Sequence, residues 1–420
     1  MASNVLNESH PPEAASTRRP LVLAPFRGLR FNRDTVGDLG TVVSPPYDVL
    51  DAETVRELEA TNRRNIVRLI LSRRFERPYV AVRKRLESWR TKGYLVADEA
   101  PALYLYQYTV DRIRVRGLVG LVALRREDER VILPHEDVMT APVEDRSVLM
   151  RTTETNLEPI LLVHEGSSRL RDLLEQATTT APPLAEFSAL DASHHQLWAV
   201  RDPETLARIA VELEHGRALI ADGHHRYAAY LHLQGEERAP GSPDGSSPWD
   251  YGLAMLVDQN DYPLGVGPIH RSVAAMTMSD VHDHCLERGD DFDTFPDRES
   301  AFAAAAKHAD DPGSVAFVLS DGRSWAVLTT NRSHAVDAAV LHEVLFEDWH
   351  IAEEQVGYHH SIDQALHTTA RQPGIVVAVS PPDLRQVMDS AAHGVRMPRK
   401  STSFTPKPRM GVVMRDLRDS

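Results

Sequence analysis

The chain has a single cysteine, Cys285, among its 420 residues, so no intrachain disulfide can form and the cytoplasm is the expected compartment. It lacks any apolar run of the roughly 18 residues that a membrane helix needs. The first 20 residues carry Pro, Ser, Glu and Arg without an apolar stretch and do not read as a signal peptide. Positive charge is in deficit: the formal net charge of −14 repels a phosphate backbone, which sets nucleic acid aside as a partner. The basic runs Arg63-Arg64, Arg73-Arg74 and Arg83-Lys84-Arg85 sit inside amphipathic patterns and read as solvated faces. No glycine-rich loop is followed by Gly-Lys-Ser/Thr, which excludes a Walker loop.

What is present is an ordinary globular composition, 42% apolar and 26% charged, with strand and helix patterns alternating throughout. That alternation predicts an α/β class, mixed α+β in detail. The segments are read as a disordered tail over 1–19, an N-terminal α/β region over 20–128, a core over 129–240, a linker over 241–250 and a C-terminal α/β region over 251–420. Short strands are expected at Leu21–Pro25 and Thr41–Ser44, helices at 79–92, 144–155, 203–215 and 383–393, and a hairpin around Asp321-Gly322. A cis proline is an option in Ser44-Pro45-Pro46.

The most informative stretch is Arg217 to Tyr227. A buried strand delivers the chain to Asp222 and Gly223, then to His224, His225 and Arg226 at the start of a helix. A helix N-terminus has free N–H groups and a positive partial charge, so it attracts anions. Gly223 permits close backbone approach, Arg226 offers a planar fork for phosphate oxygens, and the two imidazoles add donors. Asp222 is the candidate ligand for Mg²⁺. Singly, each residue fits a tight turn with a surface arginine; five special residues in a row between strand and helix point to a site. Upstream, Leu133-Pro134-His135-Glu136 presents a carboxylate at a strand end, and Glu136 is the candidate base for a kinase of a free hydroxyl. Removal of Glu136 or Arg226 is therefore expected to lower turnover far more than stability.

Several of these segments resemble one bacterial family. Pro25-Phe26-Arg27-Gly28, Ser44-Pro45-Pro46-Tyr47-Asp48-Val49, Asn65-Ile66-Val67-Arg68-Leu69, Leu133-Pro134-His135-Glu136, Ala221 to Tyr227 and Met397-Pro398-Arg399-Lys400-Ser401-Thr402 are similar to the domain-of-unknown-function 1015 family, over nearly the whole chain after residue 20. A more distant resemblance runs through the order Pro134-His135-Glu136, helix, Pro159 to Val163, then Asp222 to Arg226. It is similar to the ParB/sulfiredoxin superfamily and its free serine kinases. That resemblance implies Glu136 and Asp222 as catalytic residues and Gly223, His224, His225 and Arg226 as the nucleotide-phosphate loop. It also implies ATP or ADP as phosphate donor, Mg²⁺ as the metal, and a serine-like amino acid as acceptor. The long insertion between Val163 and Ala221 and the added C-terminal region depart from the compact kinases.

Around that centre, His135, Tyr47, Asp48, Arg27 and Lys400 are read as substrate contacts. Arg399 to Thr402 and Lys407 are positioned to close over the site from the C-terminal region, against the plainer reading of a basic loop. His282, His284 and Cys285 lack a second ligand cluster and read as a helix face, and His359-His360 falls in a polar helical stretch. The leading reading is a small-molecule kinase; the alternative is a nucleotide-sensing protein with slow or no hydrolysis. A small molecule and a nucleotide are the expected partners, with no membrane and with a homodimer left open.

Overall fold

The computed structural model describes residues 19–71, 78–309, 311–334 and 336–419; the expected tail, apart from Arg19, and Arg73-Arg74 lie outside these residues. At its centre is a nine-stranded mixed sheet. In spatial order its main path runs Ile132–Leu133, Ala218–Asp222, Ile160–His164, Tyr251–Asp258, Ile113–Ala123, Leu103–Val110, His194–Val200 and Ala185–Ser188, with Leu23–Ala24 on the flank of Ile113–Ala123. Two pairings are parallel, Ala218–Asp222 with Ile132–Leu133 and Tyr251–Asp258 with Ile160–His164. The strand side chains alternate between two apolar clusters. Ala218 and Ile220 join Ile160 and Leu162 under the helix His224–Glu237, while Leu219 and Ala221 face the opposite layer with Leu161 and Val163. A sheet buried on both faces explains why these strands read as continuous apolar runs.

A second sheet of six strands, Asp291–Phe295, Trp325–Asn331, Ser314–Ser320, Gly374–Ala378, His270–Ala274 and Val356–His359, carries helices including Arg298–Ala305 and Ile362–Arg371. Two small sheets tie the chain's far segments to its early ones. Met414–Asp416 pairs with Gly28–Phe31 and Thr155–Asn156, and Thr402–Thr405 pairs with Gly265–Pro268. Among the described residues no helix is long and apolar enough to cross a membrane.

Helices form at Pro78–Thr91, Thr140–Thr153, Pro203–Leu213 and Leu384–Ala392, and the hairpin turns at Asp321-Gly322. Other expectations need correcting. Thr41–Ser44 is no strand: Leu39–Thr41 is a 3₁₀ turn, and Ser44 makes an isolated bridge to Met410. His359 ends a strand rather than sitting in a helix. The cis proline is at Thr405–Pro406, not in Ser44-Pro45-Pro46. The divisions at 128/129 and 250/251 do not separate structural layers, because the central sheet takes strands from both sides of each. The stretch read as a linker ends in a 3₁₀ turn, Pro248–Asp250, whose Asp250 is buried. Only its end, Trp249 and Asp250, packs on the fold; Gly241, Pro243 and Gly245 are exposed.

Candidate functional site

The strand Ala218–Asp222 ends in Gly223, whose φ of +97° is the left-handed conformation that glycine adopts without strain. A Cβ at this position would stand 2.9 Å from Ile160 Cγ2 and 3.0 Å from Arg226 Nε, so glycine is also required by close packing. The helix His224–Glu237 then begins with no side-chain cap on its first N–H groups. Most other long helices here are capped by an Asp, Ser or Thr side chain, as at Asp51, Ser167, Asp202 and Thr277. The helix Thr140–Thr153, whose N-terminal Met139 lines the same cleft, also starts without a side-chain cap. Open helix N-termini facing a cleft suit an anion.

That cleft is lined by Tyr47, Asp48, Glu136, Asp137, Met139, Asp222 to Arg226, Ile269, His360, Arg399, Lys400, Thr402 and Lys407. The structure thus brings Tyr47, Asp48, Glu136, the 222–226 loop and Lys400 together. Arg27 is not among them: its Nε donates to the Asp98 carbonyl at 2.9 Å, in a separate hollow beside Pro101 and Arg415. The Pro25–Gly28 motif serves packing, since Gly28 N donates to Tyr104 Oη at 2.7 Å and a Cβ there would collide with that ring. Asn65 is likewise structural: fully buried, its amide donates to the carbonyls of Thr41 and Val43, each at 2.9 Å.

Arg226 departs from its expected role. It is 2% exposed, with one guanidinium nitrogen on Asp222 and another on the Pro159 carbonyl. Glu158, buried beside it, also faces Arg146 at 3.2 Å, and Arg146 lies over the Tyr47 ring at 4.6 Å. The fork read as a phosphate clamp is a buried strut between strand ends. Burial pushes the Tyr47 phenol up to about 12 against the opposing pull of Arg226 and Arg146, so it stays protonated.

The two histidines also act on the protein itself. His224 Nε2 accepts from the His135 N–H at 3.4 Å, and His225 Nε2 accepts from the Met139 N–H at 3.1 Å, which places each ring proton on Nδ1. Burial, then the neighbouring His135, lowers His224 to about 3; burial and Lys400 lower His225. Both are neutral and pin the 135–139 loop over the helix start. His135 is fully buried, its Nε2 2.7 Å from Thr402 Oγ1, so it buttresses the cleft from behind and is not a substrate contact. A histidine held neutral by burial leaves the unfolded chain with more bound protons between its two pKa values, so stability falls as pH drops below about 6.5. His224 and His342, at about 3, and His195 and His270, at about 4, all act in this sense. Urea midpoints should therefore decline steadily from pH 7 towards pH 4, with a shallower slope in His224→Gln.

Glu136 is held by a segment far along the chain. Its carboxylate accepts the N–H groups of Lys400 at 3.0 Å, Ser401 at 3.0 Å and Thr402 at 2.8 Å, and the Thr402 hydroxyl at 2.7 Å. Lys400 adopts a φ of +59°, and the turn it makes aims successive N–H groups at one anion, a backbone nest filled here by a side chain. Burial would raise the Glu136 pKa; the facing His135 and His224 rings and the Thr402 hydroxyl outweigh it and hold it well below the usual range. Met397 N–H adds a bond to the His135 carbonyl at 2.8 Å, so residues 397–410 form a strap across the cleft.

The strap also brings Lys407, whose Nζ lies 2.6 Å from Asp48 Oδ2 and 2.5 Å from Asp222 Oδ1. Lys407 and Arg226 outweigh burial and lower Asp222 to about 2. Each oxygen of Asp222 thus already meets a cation, and no group of three or more His, Cys, Asp or Glu that could hold a metal ion occurs among the described residues. This donor set does not fit Mg²⁺ while the strap is in place, which corrects the assignment of Asp222 as a metal ligand. The sequence reading passed over Glu158 and set His360 aside as part of a polar helical stretch; the only signal for Glu158 was a charge two residues before the buried strand Ile160–His164.

The chain belongs to the family described as Protein of unknown function (DUF1015), whose model matches residues 23–348. Tyr47, Asp48, Glu136 and the 222–226 loop lie within the matched span, whereas Lys400, Thr402 and Lys407, on the strap, lie beyond it. No curated protein matches the chain. Among solved structures it is similar to a free serine kinase mutant in complex with ADP, at 15% identity and TM-score 0.38, over 71% of this chain and 88% of that one. A conserved hypothetical protein from Pyrococcus furiosus is similar at 15% identity and TM-score 0.38, over 72% and 96%. SbnI with a C-terminal truncation, from Staphylococcus aureus, is similar at 12% identity and TM-score 0.38, over 69% and 84%.

Proposed function

We propose that the cleft binds the phosphates of ATP or ADP and that the protein is a cytoplasmic phosphotransferase acting on the hydroxyl of a free, serine-like amino acid, on a ParB/sulfiredoxin-like core. The observation that carries this is the uncapped start of the helix His224–Glu237, opening through Gly223 into a cleft that also holds Lys400. Among the described residues the Lys400 ammonium has no ion-pair partner, so it is available to an anion. The helix N–H groups take phosphate oxygens, and Tyr47 and Asp48 form the acceptor side. In the transfer the terminal P–O bond of the donor breaks as the acceptor oxygen takes the phosphorus. The hydroxyl proton passes to Glu136 Oε2, which accepts one bond from the strap where Oε1 accepts three. A weakly basic carboxylate suffices for this step, because the loose transition state leaves the proton in place until late.

One observation favours the second reading, a nucleotide sensor: the strap engages both Glu136 oxygens, which suits binding better than turnover. Nucleotide consumption with L-serine, L-threonine and homoserine, with products identified by mass spectrometry, separates the two. The kinase reading requires acceptor-dependent turnover; ADP binding without turnover supports the sensor. For either, Gly223→Ala should weaken ADP binding at least about tenfold, since the left-handed backbone costs a side chain about 1–2 kcal/mol and the new Cβ meets Arg226. Unchanged ADP affinity in Gly223→Ala, measured by calorimetry, removes the loop from the site.

A further inference from the structure

Lys407 is no ordinary surface lysine. Its side chain is 10% exposed, and the strap that carries it is fixed on both sides. Tyr108 Oη donates to the Pro406 carbonyl at 2.8 Å, and beyond it Ser44 and Met410 exchange N–H···O bonds at 3.2 and 2.8 Å. The Nζ between Asp48 and Asp222 uses two of its three N–H bonds on these carboxylates, and the residue lines the cleft beside the open helix N-terminus. Two carboxylates gripping one cation next to a phosphate is the arrangement that usually holds Mg²⁺. Here the cation is an ammonium built into the chain. The carboxylates hold its pKa above the ordinary lysine value against the effect of burial, so it keeps its charge throughout the neutral range.

We infer that Lys407 takes the place of a divalent cation in this cleft, so that the ligand is a metal-free nucleoside di- or triphosphate, one of whose oxygens meets the third N–H of Lys407. This rests on the reading of the cleft as a nucleotide-phosphate site. It accounts for three features together: Asp222 has no oxygen free of a cation, the described residues offer no metal cluster, and Lys407 is held in place by the contacts that anchor the strap on both sides of it. An ammonium fixed in this way stabilises phosphate charge without reorganisation, as a bound metal does, but it makes the site depend on the strap being closed.

The test is calorimetric titration of the full chain with ADP, in EDTA and in millimolar Mg²⁺. The native chain should bind ADP equally in both. Lys407→Ala should lose at least about tenfold in EDTA, a change of about 1.4 kcal/mol. It should then recover when Mg²⁺ or propylammonium is supplied, because the space between Asp48 and Asp222 again holds a cation; a misfolded variant recovers with neither. Three results overturn the inference alone: Lys407→Ala binding as the native chain does in EDTA, native binding that requires Mg²⁺, or, in a Lys407→Ala chain whose urea midpoint is native, a loss that neither cation repairs. A native chain that binds no ADP in either condition removes the nucleotide reading, and this inference with it.

Discussion

Arg226→Ala should destabilise the protein by about 3–5 kcal/mol, the usual cost of removing one partner of a buried ionic cluster. The guanidinium lies among Asp222, the Pro159 carbonyl and the buried Glu158, so alanine leaves one oxygen of Asp222 and the Pro159 carbonyl unpartnered, leaves Glu158 with Arg146 alone, and opens a void at the end of the central sheet. This reverses the expectation drawn from the sequence, in which Arg226 acted on turnover and hardly on folding. Arg226→Lys keeps the charge but loses the planar fork that reaches Asp222 and Pro159 together, and should recover only part of the loss. Urea unfolding decides the matter: a normal midpoint for Arg226→Ala with reduced nucleotide binding would return the residue to the phosphate loop.

Glu136→Gln should release the strap. The carboxylate collects four donors from residues 400–402, and an amide that keeps its oxygen where Oε1 accepts three of them turns its NH₂ group against the Lys400 N–H. At roughly 1.5–3 kcal/mol for each bond to a charged acceptor, loss of the Lys400 bond weakens strap attachment by about 1.5–3 kcal/mol, and the three bonds that remain lose the charge on their acceptor. Amide exchange at 400–402 and proteolysis near Arg399 and Lys400 should accelerate sharply, while the central sheet keeps its protection. Because the Glu136 pKa is depressed, this contribution is fully present above the ordinary carboxylate range and is lost only as pH falls through the lower, folded value. Strap exchange unchanged in Glu136→Gln would show that the ribbon with Gly265–Pro268 holds it alone.

What could be read in advance follows the range of the forces involved. The strand–glycine–helix turn at 218–237 was legible because a buried run, a glycine at its tip and a helix start are all local signals. The helix Pro203–Leu213 was legible through Leu206, Ile209 and Leu213 on one face. The short strands His270–Ala274 and Val356–His359 carry mixed polar and apolar residues and gain definition only from their partners, so they escaped a local reading. The site divides in the same way. Asp222 and Gly223 announce themselves, but that both oxygens of Asp222 are taken depends on Lys407, which lies 185 residues away in sequence. The job of His224 and His225, holding the 135–139 loop, depends on a strand pairing that brings Ala218–Leu219 beside Ile132–Leu133. Composition and spacing carry no record of such meetings, and Arg27 shows the opposite error: a conspicuous arginine in a conspicuous motif, bonded to a backbone carbonyl elsewhere.

The stitching of Met414–Asp416 between Gly28–Phe31 and Thr155–Asn156 has a consequence for how the protein is made. Gly28 and Leu29 leave the ribosome long before Arg415 and Met414, their partners in the register, exist. Until then an edge of that small sheet stays unpaired, and the cleft lacks Lys400, Thr402 and Lys407. Contacts this distant in sequence are slow to form and leave open edges exposed meanwhile. Ligand-binding competence should therefore appear as the last event of maturation, after most of the chain has already folded, and nascent or prematurely ended chains should be non-binding even where their central sheet is complete.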